Sequence, residues 1–384
     1  MCMPREGSPA APAPRPVAIR TSLPLLVGLA LLVAACMPGA PVTVDPSPRP
    51  THEAGTIAVT ALLDLSGSRA PKGEAQRNAM QQWADAQRTT PRLKLRVVDV
   101  AGSDAKVLLE LKHLSEAGDA DAVVIGVPAV LDEALSRAVG LLARPVLFTL
   151  PVADPVTAGL SGRWMFGLAP SPDALARVTV DSLPSRATPA IVVTSGTLVA
   201  GREELAIISV FRAQERPMPF VMSAAPEQRD LFAQRFRPFA RAGSVVFFAG
   251  AAADYLSPVR LIPTDPTSGP SVFLSYLTDA NDASRLGDVS PAARWPALRR
   301  AIGATVGMHA ATAADALALL ASAGDGTGDA ERTRAKIEGG TFAGIATSYS
   351  FTPSRHSGVD LGEITFVAWE SGRLVTARPI GATR

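Results

Sequence analysis

Few side chains in this sequence stand in an arrangement that could make or break bonds. Ser103-Asp104-Ala105-Lys106 reads S-x-x-K, a spacing at which a lysine can serve a serine nucleophile. The companion motifs S-D-N and K-T-G are absent, no G-x-S-x-G occurs, and Ser103 is equally placed to N-cap a following helix. The run from Gly324 to Asp329, GDGTGD, is glycine-rich like a phosphate loop, but it follows a helical stretch instead of a strand and so fails the context that motif needs. His52, His113, His309 and His356 show no metal-ligand spacing among themselves. The 2 cysteines, Cys2 and Cys36, both lie at the N-terminal end. Nothing after Cys36 can therefore form a disulfide, a thiolate metal site or a catalytic Cys–His pair. These residues predict no catalytic group, no metal and no cofactor, and the chain does not read as an enzyme.

The chemistry that does stand out is at Cys36. Arg5, Arg15 and Arg20 form a basic start, and Thr21–Ala35 follows as an apolar run, TSLPLLVGLALLVAA. About 20 continuous apolar residues are needed to span a bilayer, so this stretch is too short and reads as a signal peptide over residues 1–35. Its end, Leu32-Val33-Ala34-Ala35-Cys36, resembles the bacterial lipobox. That resemblance implies cleavage before Cys36, diacylglyceryl modification of its thiol and attachment to a membrane through the lipid; two or more acyl chains hold stably where one is marginal. Residues 36–55 contain five prolines and little apolar periodicity, the composition of an extended tether.

Composition sets the class of the remainder. Lys+Arg number 37 against 35 Asp+Glu, which supplies no basic footprint for nucleic acid. Removing Arg5, Arg15, Arg20 and Glu6 with the signal leaves 34 of each sign. Hydrophobic residues make up 47 %, enough for a large core. From Thr56 onward, short apolar runs alternate with amphipathic stretches. Strands are expected at Ile57–Leu63, around Leu93, Leu95 and Val97, and at Ala122–Ile125 and Val146–Thr149, with helices over 73–88, 104–117 and up to Leu142. The alternation restarts after a capped helix at Ser171-Pro172-Asp173: strands at Ala190–Thr194, Phe220–Ser223, Ser244–Ala249 and Val272–Leu274, helices over 203–214 and near 231–242. Then come a helix of small residues over 309–323, a strand at Ser348–Phe351 and a hairpin over 364–377 turning at Ser371-Gly372. Two βα runs of similar size predict an α/β fold with two Rossmann-like lobes, whose ligand sites lie at the carboxyl ends of parallel strands.

The order of motifs resembles the type I periplasmic binding proteins, in the leucine/isoleucine/valine-binding branch of ABC transporter receptors. The resemblance spans about residues 56–378. It rests on Leu65-Ser66-Gly67 with Gly73 opening a helix, on VVDVAGSDAKVLLELKHL, on the run from Gly126 through Pro145 to Pro151, and on RWMFGLAPSPDALARV. It rests also on the closing segment with Phe351, His356, Gly358 and Gly372. It implies two lobes joined by a three-strand hinge: 56–168 with 280–350, and 169–279 with 351–384. It further implies an extracytoplasmic, lipid-anchored receptor that closes on a small molecule and presents it to ABC permease subunits.

The ligand-binding candidates are Ser66, Thr149, Ala153, Asp254, Tyr276 and Asp279. Ser66 is either a cleft-lining hydroxyl or part of a helix-start turn. Asp254 lies near where the family places its ammonium-binding acid, or caps the next helix. The family's hydroxyls in the loops after Gly126 and Thr149 are replaced by Val127-Pro128-Ala129 and Leu150-Pro151-Val152-Ala153, and Leu198 stands near a missing aromatic. These departures point to a more apolar solute than an amino acid. They equally suit a regulatory or structural envelope lipoprotein on the same fold, for instance an activator of cell-wall synthesis.

Overall fold

The computed structural model describes residues 53–87, 91–183, 185–224, 229–236, 238–239, 243–249, 271–276, 308–363, 366–370 and 373–377. All belong to one compact unit, Pro48–Arg384. The signal, Cys36 and the tether as far as residue 52 lie outside these residues.

The first sheet is built from β1 (Thr56–Leu63), β2 (Arg92–Asp99), β3 (Ala122–Ile125), β4 (Val146–Phe148) and β5 (Met165–Gly167). Its order is β2-β1-β3-β4-β5 and every pairing is parallel. Parallel strands need both faces covered, and the period-2 alternation shows both coverings. Val59, Ala61, Leu63, Ala122 and Val124 face one core cluster, while Leu62, Val123 and Ile125 face another. Helices α2 (Asp104–Ala117) and α3 (Glu133–Leu142) supply the second covering through Val107, Leu111, Leu114, Leu135 and Val139.

The second sheet contains β6 (Ala190–Thr194), β7 (Phe220–Ser223), β8 (Val245–Ala249), β9 (Ser271–Tyr276), β12 (Phe366–Glu370) and β13 (Arg373–Ala377), in the order β13-β12-β9-β8-β6-β7. Its first four strands in sequence pair in parallel; the terminal hairpin β12–β13 joins antiparallel to β9. A separate short ribbon pairs β10 (Thr341–Ala343) with β11 (Ser348–Ser350). Both large sheets reverse their strand order at one place, between β1 and β3 and between β6 and β8. Such switch points open crevices at the carboxyl ends.

One helix ties the sheets together. Helix α7 (Met308–Ala323), MHAATAADALALLASA, is alanine-rich and so both strongly helix-forming and slim. Its Ala310, Ala311 and Ala314 join the core of the second sheet with α4 (Pro172–Asp181) and α5 (Leu198–Ala213), while Ala313, Leu317 and Leu320 join the core of the first with α1 (Ala70–Ala86). The segment 280–350 assigned to one lobe by resemblance thus includes a helix that packs on both. The segment Phe351–Val359 packs on the first sheet, with Phe351 and Val359 in its core and Ser357 bridged to Gly167 of β5. The His356 ring is fully buried and stacks on Phe166 at 4.5 Å. Its Nδ1 lies 2.9 Å and 2.8 Å from the carbonyl oxygens of Gly162 and Met165, so Nδ1 carries the hydrogen, and Nε2 lies 3.2 Å from Glu338 at the end of α8 (Ala330–Glu338).

Expected elements recur with shifted ends, and three are new. Helix α5 begins at Leu198, capped by Thr197, five residues before the expected Glu203; the run LVAG has too little amphipathic contrast to mark a helix start. Strand β5 is three residues long, too short to alternate visibly. Helix α8, AERTRAKIE, carries few apolar residues, and the Asp329 N-cap is its main local signal. The ribbon strand β10 is likewise too short to mark itself. The helix expected near 231–242 is α6 (Arg229–Phe236). Leu317→Ala empties space at the junction of α7 with the first sheet; urea denaturation of that variant is expected to show a loss of about 2–5 kcal/mol with an unchanged m-value.

Candidate functional site

At the β1/β2 end of the first sheet, two carboxylates organise the loops. Asp99 accepts backbone N–H bonds from Leu65 at 2.9 Å and Ala101 at 2.8 Å, and a bond from the Ser66 hydroxyl. These bonds, led by the Leu65 N–H, hold the Asp99 carboxyl below its usual range. Asp64 is 3 % exposed; its Oδ1 accepts from Gly102 N–H at 2.5 Å and its Oδ2 lies 2.6 Å from Arg69 Nε. Gly102 has φ +72°, and a Cβ there would run into the Arg69 guanidinium, so the turn needs glycine.

At the ends of β3 and β4, Gln76 of α1 holds two strands at once. Its Nε2 donates to the Gly126 carbonyl at 2.8 Å, and its Oε1 accepts from the Thr149 hydroxyl at 2.6 Å. A Cβ on Gly126 would collide with Gln76 and Leu63. The Thr149 carbonyl accepts from the Thr312 hydroxyl of α7 at 3.1 Å. The following loops present Val127, Ala129, Leu150 and Val152, all buried.

The second sheet contributes the turn after β6. Gly196 takes φ +75°, the hydroxyls of Ser195 and Thr197 lie 3.1 Å apart, and Thr197 caps α5 by accepting from Ala200 N–H at 3.2 Å. One turn further on, the Arg202 guanidinium donates to the carbonyl of Ala129 in the loop after β3. Burial pushes the Arg202 guanidinium down from its usual value, opposed by the charge of Asp104 at the start of α2. This bond joins the helix that follows β6 to the loop that follows β3.

Of the sequence-derived candidates, Ser66 is exposed at the β1 end and bonds Asp99 without capping the turn it precedes. Thr149 is 1 % exposed and spends its hydroxyl on Gln76. Ala153 is exposed in the turn after β4. Tyr276 ends β9, paired in register with Phe366. Asp254, Asp279 and Cys36 lie outside the described residues. Ser103 N-caps α2 by accepting from Lys106 N–H at 3.3 Å, the capping role anticipated for the S-x-x-K run. Sequence reasoning missed Gln76 and Arg202: each looks like an ordinary polar position on a helix, and only the approach of a second element gives it a partner. Among the described residues no cluster of three or more His, Cys, Asp or Glu could hold a metal ion. A groove of about 600 Å³ between α2 and α3, lined by Leu108, Lys112, Arg137 and Leu141, lies on the outer covering of the first sheet.

No protein-family model matches this sequence, and no curated protein matches it. Solved structures do. The benzoate-bound ABC transporter solute-binding protein of Rhodopseudomonas palustris is 15 % identical with a TM-score of 0.61, over 84 % of this chain and 95 % of that one. A type 1 periplasmic binding protein from Bordetella pertussis is 13 % identical with a TM-score of 0.59, over 85 % and 100 %. The isoleucine-bound branched-chain amino acid binding protein of Streptococcus pneumoniae is 15 % identical with a TM-score of 0.59, over 84 % and 99 %. The fold is that of the type I periplasmic binding proteins. This α/β architecture with parallel sheets is the one that the motif order implied.

The lowered Asp99 carboxyl makes a signed prediction. Its stabilising contribution is fully present above the ordinary aspartate value of about 3.9 and is lost as pH falls through the lower folded value. In acid titrations of thermal stability, Asp99→Asn is therefore expected to flatten the decline below about pH 4 relative to the parent chain. An identical decline in both proteins would remove Asp99 as its source.

Proposed function

We propose that this chain is the solute-binding receptor of an ABC importer, held outside the cytoplasm by a lipid on Cys36. In this reading a small apolar molecule binds between two lobes and shifts an open/closed equilibrium by its preference for the closed state. The closed form is then read by permease subunits. The observation that carries the reading is the contact of Arg202 with Ala129, which turns two sets of strand carboxyl ends toward each other. The lack of serine or threonine in the loops 127–132 and 150–154 supports a solute poorer in polar groups than a free amino acid. The structural neighbours that hold benzoate and isoleucine support the class of ligand. The lobes are taken as 56–168 with 280–350 and 169–279 with 351–384, and Asp254, Tyr276 and Asp279 remain the candidate polar readers on the second lobe.

One observation favours the alternative of a regulatory envelope lipoprotein that acts by protein contact. The hydroxyls of Ser66 and Thr149, expected to face a solute, are bonded within the chain.

A thermal-shift screen of the purified chain against amino acids, amides, aromatic and short-chain carboxylates separates the two readings. A ligand at about 100 times its dissociation constant is expected to add about 2.7 kcal/mol of stability. A flat response across all classes favours the regulatory role. For the anchor, Cys36→Ala is expected to move the protein from the membrane fraction to the soluble fraction, and intact mass of the parent chain to show the diacylglyceryl addition. An unmodified Cys36 would overturn the anchor.

A further inference from the structure

We propose that Arg202 is a latch that holds the two lobes closed in the absence of any solute. The inference rests on the two-lobe, hinge-closing reading above. In such a receptor the cross-cleft bonds ordinarily come from the ligand, and without it the lobes part. Here a side chain of the protein makes a bond of that kind. The guanidinium projects from α5, which packs on the second sheet through Ala200, Ala206, Ile207 and Phe211. It donates to the Ala129 carbonyl, in a loop packed on the first sheet through Val127 and Ala129.

Both ends of the strut are held rigidly. On the α5 side, Thr197 caps the helix and the neighbouring Glu203 is buried at 3 % exposure. On the other side, Pro128 immediately precedes Ala129, and Asp132 caps α3 three residues beyond, accepting from Leu135 N–H at 2.9 Å. The cavity between this loop and the start of α2 is only about 40 Å³, so the loop has little room to retreat from the guanidinium. The negative charge of Asp104, at the start of α2 on the first-sheet side, also favours the charged guanidinium. A charged donor strengthens such a bond relative to a neutral pair, and separation of the lobes would break it. The closed state is then populated before a solute arrives, and a solute adds to that bias instead of creating it.

The test measures lobe separation directly. Spin labels carried on ketone-bearing unnatural residues at positions 112 and 212, one on α2 and one on α5, leave the native cysteines untouched. Distance distributions are recorded without ligand for the parent chain, Arg202→Ala and Arg202→Gln, with circular dichroism and melting curves as fold controls. The parent is expected to show one short-distance population, and both variants an open-to-closed ratio raised about tenfold or more. Distributions that coincide in all three proteins would overturn the latch, as would a parent chain already open. Should Arg202→Ala fail to fold, Arg202→Gln carries the comparison alone. Failure of the latch leaves the receptor reading intact if a solute from the thermal-shift panel still shortens the distance. A latch that opens on substitution in a chain that answers no solute would instead retain the latch and remove the receptor.

Discussion

Helix α7 is buried along its length because two separate sheets need the same covering. A parallel sheet leaves apolar side chains on both faces, and each must be removed from water. The first sheet is closed on one face by α2 and α3, and on the other by α1 with the second half of α7. The first half of α7 closes part of the second sheet. A helix that serves two cores at once can carry no large side chain where the sheets converge, and the alanines at 310, 311, 313, 314 and 316 meet that demand.

Within that frame the strand ends are held by polar groups that satisfy one another. Gln76 couples β3 to β4, Asp99 gathers the start of the Ser66 loop, and Asp64 with Arg69 closes the turn at Gly102. Gln76 and Asp64 are buried, where an unmet hydrogen bond would be costly, while Asp99 and Arg69 act from the surface. The carboxyl ends of the first sheet are consequently fixed by internal partners, with the Ser66 and Thr149 hydroxyls turned to Asp99 and Gln76.

The segment Phe351–Val359 shows the same economy. His356 joins the Pro155–Trp164 turn, β5 and α8 through one ring, stacked on Phe166, which in turn meets Phe351 edge-on at 5.4 Å. Gly358 lies so close to the Phe351 ring that a Cβ would strike it. The segment is thus pinned on the first sheet.

How much of this was legible in the sequence follows from the range of each interaction. Strands such as Ala122–Ile125 and Ala190–Thr194, and the Ser103 and Ser171 caps, are short-range matters of apolar runs and N-cap chemistry, and they stand where the residues put them. The α/β class and the order of motifs were equally readable, because a parallel sheet must alternate with its coverings along the chain. The short β5, the early start of α5 and the polar α8 were not, since their local patterns are too brief or too weak to compete with turns. The roles of Thr149, Gln76 and Arg202 were decided only by tertiary structure. Thr149 reads as a free hydroxyl until Gln76 arrives from 73 positions away, and Arg202 reads as a solvated helix cation until the loop at Ala129 meets it. A hydrogen bond acts over about 3 Å, and which groups come that close is set by the packing of whole sheets, which no local pattern of residues contains.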